Sequence, residues 1–84
     1  MGGADRVVSA LVTAIATLED IVQLFPESSM ALSTLEGIAS ELREMGPDER
    51  RRFFDALDQI AADEPDRADW IRSLPGAFGL IDLA

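Results

Sequence analysis

Apolar residues recur at Ala4, Val8, Leu11, Ile15, Leu18, Val22 and Phe25, in steps that alternate between four and three. Such steps return to one face of a 3.6-residue helix, so the pattern predicts an amphipathic helix over 4–25. Asp5 suits its positive N-terminal end. Pro26 ends it, because proline lacks a backbone donor and disfavours helix in the residue before it.

The same spacing returns at Ala31, Leu35, Ile38, Leu42 and Met45 and predicts a second helix over 28–45, with Ser28 or Ser29 as its cap. Gly37 lies inside it at a cost of about 1 kcal/mol relative to alanine, and marks either a close helix crossing or nothing at all. Gly46-Pro47-Asp48-Glu49 stops one helix and starts another, with proline at the first helical position and acids at the positive end. The third helix, 47–62, turns Phe53, Phe54, Leu57, Ile60 and Ala61 inward. A fourth, 66–74, follows the break at Asp63-Glu64-Pro65-Asp66, carries Trp70, Ile71 and Leu74, and stops at Pro75-Gly76. An apolar tail with Phe78, Leu80, Ile81 and Leu83 completes the chain. No β-branched run alternates with polar residues. The expected architecture is an all-α bundle of about four helices, one domain over 1–84, since half this length buries too little to fold alone.

Between Val7 and Leu18 the first helix carries no charge at all. A helix that covers a core normally presents a charged outer face. Here Ser9, Thr13 and Thr17, four residues apart, form one stripe, while Val7, Ala14 and Ile21 widen the apolar side. Two arrangements account for this: the helix is enclosed by the other three and the tail, or its uncharged side meets another molecule. Three short helices hardly enclose six turns, which favours a twofold homodimer.

Composition narrows the chemistry. Hydrophobic residues make up 48% and charged ones 27%, a globular balance. Sixteen acids against seven arginines give a net charge of −9. The single basic run, Arg50-Arg51-Arg52, sits among Asp48, Glu49 and Asp55. The cationic footprint of a nucleic-acid binder or of a protein held on anionic lipid is therefore missing. Without Cys or His there is no disulfide framework, no thiolate site and no proton-transfer imidazole, and no metal or cofactor is expected. The uncharged stretch of twelve residues is too short to cross a bilayer. Asp5 beside Arg6 spoils a secretory leader despite the Ala-Ile-Ala at 14–16, so a cytoplasmic location is expected.

Asp55 and Asp58 read as a solvated face rather than an acid/base pair. Asp58, Asp63, Asp66 and Asp69 lack the alternating ligands and central glycine of a calcium loop. Glu27-Ser28-Ser29-Met30 loosely resembles the Asp-Ser-Leu signature of acyl and peptidyl carrier proteins, which implies a phosphopantetheine serine at a helix N-terminus. Carriers place a long loop before that serine, whereas only Pro26 and Glu27 stand here, and N-capping explains both hydroxyls. Trp70, Phe78, Leu80 and Ile81 are candidate contact residues, because a tryptophan with a contiguous apolar tail needs a cover, from its own bundle or from a protein partner. Together these features predict a non-catalytic protein-interaction module that self-associates through the first helix. A small acidic inhibitor of a basic protein, of the immunity or antitoxin kind, is the alternative, and a carrier-like protein the next.

Overall fold

Asp5 starts the first helix with its side chain: Oδ1 accepts from the backbone N–H of Val7 at 2.9 Å and of Val8 at 3.1 Å. In this computed structural model, which describes residues 5–81, α1 (Arg6–Leu24), α2 (Met30–Arg43), α3 (Pro47–Asp63) and α4 (Ala68–Ala77) follow in order, and a 3-10 turn at Pro65–Arg67 leads into the last. The described residues contain no strand, and the expected small all-α bundle is what the chain forms. Ala4, which opens the first apolar spacing, and Leu83 of the tail lie outside the described residues.

Most helix ends shift by one to three residues from expectation, and two of the shifts have a clear physical cause. Helix α2 begins at Met30, and Ser29 occupies the capping position with helical angles, φ −88° and ψ −7°. A capping hydroxyl reaches the exposed amides from an extended backbone, so Ser29 makes no side-chain cap bond among the described residues. The second difference corrects the reading of Pro75-Gly76 as a stop, because α4 runs through both to Ala77. Pro75 removes one helical amide donor but lies in the last turn with its ring buried, where the loss is small. The stop is Gly79, the one residue among those described with a left-handed backbone, φ 73°. Its N–H donates to the Gly76 carbonyl at 3.1 Å, and that of Leu80 donates to the Pro75 carbonyl at 2.8 Å. This paired capping is the Schellman arrangement, in which a glycine reverses the chain and the next apolar residue packs back on the helix.

The α2–α3 corner forms as its sequence predicts. Gly46 is extended, Pro47 takes the first helical position, and Glu49 Oε1 accepts from the Gly46 N–H at 3.2 Å. From the first turn of α3, Arg50 reaches back to three carbonyls: Nε donates to Met45 at 3.4 Å, Nη2 to Arg43 at 3.0 Å and Nη1 to Leu80 at 2.9 Å. Arg43 Nη1 in turn donates to the Phe78 carbonyl at 3.1 Å.

One core joins Val8, Val12 and Ile15 of α1, Ala39 of α2, Phe53, Ala56, Leu57, Ile60 and Ala61 of α3, Ile71 and Leu74 of α4, and Phe78 and Leu80 beyond it. Helix α3 contributes more buried residues than any other and packs against both α1 and α4, while α2 packs chiefly along α1. The enclosed helix is thus not α1, which buries only Val8, Val12 and Ile15.

Gly37 faces solvent, and a Cβ built on it meets nothing within 4 Å among the described residues. It marks no close helix crossing. Gly37→Ala should therefore stabilise the domain by roughly 0.5–1 kcal/mol and raise its melting temperature by several degrees, as thermal unfolding followed by circular dichroism would show.

Candidate protein interface

Helix α1 carries two apolar lines. The first, through Val8, Val12 and Ile15, lies in the core. At 3.6 residues per turn, Val7, Ala10, Ala14, Thr17, Ile21 and Leu24 fall on the opposite side, in steps of three, four, three, four and three. Five of these six are exposed and Ile21 is half-buried. Val7 is 78% and Leu24 71% exposed, values far from those of apolar residues that cover a core. The line contains no charge. Beyond its C-terminal end, the turn into α2 adds Phe25, 58% exposed, and Met30, 77% exposed.

Of the stripe expected on this helix, only Thr17 lies on that line. Thr13 is exposed at its edge, and its hydroxyl donates to the Ser9 carbonyl at 3.1 Å, while Ser9 is half-buried. Val7, Ala14 and Ile21, read in the sequence as widening the apolar side of the helix, lie instead on this outward line together with Ala10 and Leu24. The signal for them was the second three-and-four spacing, offset by one residue from the first.

Trp70 ties α4 to α1. Its Nε1–H donates to Glu19 Oε1 at 3.0 Å, across 51 positions of sequence. The Arg67 guanidinium sits 5.6 Å from its ring centroid and pairs with Glu64 at 2.7 Å. A half-buried indole with its one donor satisfied is a clasp between helices. Phe78 and Leu80 are buried in the core, and among the described tail residues singled out in the sequence Ile81 alone is exposed, at 46%.

The charged groups elsewhere are dispersed. Asp58 pairs with Arg72 at 3.0 Å between exposed side chains, a contact worth well under about 1 kcal/mol. Asp55 lies beside this pair in an open depression. Among the described residues no group of three or more acids is placed to share a metal ion. Ser28 and Ser29 are exposed at the start of α2.

Comparison with protein-family models, with curated proteins and with solved structures finds no match to this chain. The helix itself adds one fact about membranes. At 19 residues α1 is longer than its uncharged stretch, and by length and composition alone it suffices to cross a bilayer. It includes Glu19 and Asp20, and its inner line is part of the core.

The burial pattern separates the tail residues by experiment. Leu80→Ala should lower the free energy of unfolding by about 3 kcal/mol, whereas Ile81→Ala should stay within about 0.5 kcal/mol of the parent in urea unfolding.

Proposed function

We propose that this chain is a non-catalytic helical interaction module that self-associates through the outward face of α1. The observation that carries the reading is the uncharged line Val7, Ala10, Ala14, Thr17, Ile21 and Leu24 on the side of α1 turned away from the core. Exposed apolar area gains about 25 cal/mol for each Å² removed from water, and a line at heptad-like spacing is the shape that a second helix fits.

Charge favours a second copy as the occupant. Two chains of net charge −9 repel one another over most of their surfaces. The middle of α1 is where two copies approach without bringing carboxylates together. The acidic-inhibitor alternative draws on overall charge alone, and no particular group of residues carries it.

Sedimentation equilibrium at high micromolar concentration should report twice the 9.1 kDa chain mass. Ala14→Glu places a charge in the centre of the face, and glutamate is itself a good helix former. This variant should weaken association at least tenfold, about 1.4 kcal/mol, with helicity by circular dichroism unchanged. A parent protein that stays monomeric at that concentration overturns the reading.

A further inference from the structure

We infer that the two copies pair antiparallel along α1, in the register that sets Val7 against Leu24, Ala10 against Ile21 and Ala14 against Thr17 of the second copy. The inference rests on the self-association proposed above and adds its geometry. Three independent features of α1 lead to it.

The first is spacing. Steps of three, four, three, four and three read the same from either end of the line, with their centre between Ala14 and Thr17. A twofold axis perpendicular to the helix at that centre therefore carries every position of the line onto another. Such isologous contact, the same patch used by both copies, is the usual geometry of a homodimer.

The second is side-chain size. A parallel pair would set Ala10 and Ala14 against themselves at one end and Ile21 and Leu24 against themselves at the other. The gap between the helices would then have to widen along their length, leaving voids at the alanines. The antiparallel register sets Val7 against Leu24 and Ala10 against Ile21 at both ends and leaves the small pair Ala14 and Thr17 at the centre, so the bulk is symmetric about the twofold axis and the helices approach most closely there.

The third is charge. Arg6 is the only cation of α1 and stands in its first turn, while Glu19 and Asp20 stand toward its far end and the last turn holds no basic residue. The negative end of the helix dipole thus has no cation of its own helix. Antiparallel pairing brings Arg6 of the second copy to that end, near Asp20, and the two helix dipoles oppose one another favourably. Parallel pairing would set Arg6 beside Arg6 and Asp20 beside Asp20.

The paired strip, 18 residues from Val7 to Leu24, is about 25 Å long from its first Cα to its last and one helix wide. That places it at the small end of specific interfaces, below about 1,200 Å² in total, and the association belongs in the micromolar range.

The chain has no cysteine of its own, so single substitutions report the register directly. Full-length Val7→Cys and Leu24→Cys variants are mixed in equal amounts in a glutathione redox buffer, and the disulfide-linked products are separated by mass. The expected result is that the mixed product exceeds the two symmetric products together several-fold, because a disulfide requires Cα atoms within about 7 Å. Symmetric products in excess, with the parent still sedimenting as a dimer, overturn the antiparallel register and leave self-association standing. A product ratio no different from that of the two variants mixed in denaturant, again with a dimeric parent, also overturns the register. A monomeric parent overturns both claims. Flotation of a monomeric parent with phosphatidylcholine vesicles would then assign the face to lipid.

Discussion

Three carbonyls, those of Arg43, Met45 and Leu80, converge on one guanidinium, and the remainder of the bundle is arranged around that convergence. The last carbonyls of a helix have no partner within it, and those at the end of α2 point toward the first turn of α3. Arg50 meets two of the three from that turn and spends its remaining fork on the tail. Arg43 does the same for Phe78. A planar group with five fixed donors can join three segments in this way, which an ammonium on a flexible stem does poorly. With the tail fastened, Phe78 and Leu80 reach the core that the inner line of α1 also joins. In a domain this small, no helix buries enough by itself to be stable without the others.

Much of this was legible in the sequence. The inner line of α1 was legible in part: the four-and-three steps picked out Val8 and Ile15, but they passed over Val12 and assigned Phe25 to the same face, although it is 58% exposed. The corner at Gly46-Pro47 was readable because each residue there has one strong positional preference. The end of α4 was misread, since Pro75 and Gly76 are the louder signals. A proline in the last turn removes one hydrogen bond, whereas a glycine that can turn left-handed with a leucine after it changes the chain direction. Arg50 was counted as part of a basic run, although its two neighbours Arg51 and Arg52 are exposed and it is half-buried. No spacing rule separates a solvated arginine from one that serves a carbonyl thirty residues away.

The outer line of α1 was only half legible for a different reason. Alanine and threonine contribute little to an apolar pattern, so a face built from them is outvoted by the leucine and isoleucine of the opposite side. In the proposed pairing their small size would let a second helix come close, so what makes them quiet in the sequence is also what would fit them to an interface. The acidic remainder of the surface sharpens the contrast, because like charge there opposes the approach of a second copy. Function, in the reading proposed here, resides in what the surface of α1 lacks.

The turn at Gly79 also sets how the chain tolerates changes of length. Leu80 reaches the core because one left-handed residue follows Phe78. An inserted or deleted residue between Ala77 and Leu80 would shift which side chain faces inward and separate the Phe78 and Leu80 carbonyls from their arginines. The turn at Pro26–Ser29 is bound by no such count, since every residue in it is exposed. Two loops of similar size thus differ in kind: one is a hinge of fixed stitch number, the other a length of slack.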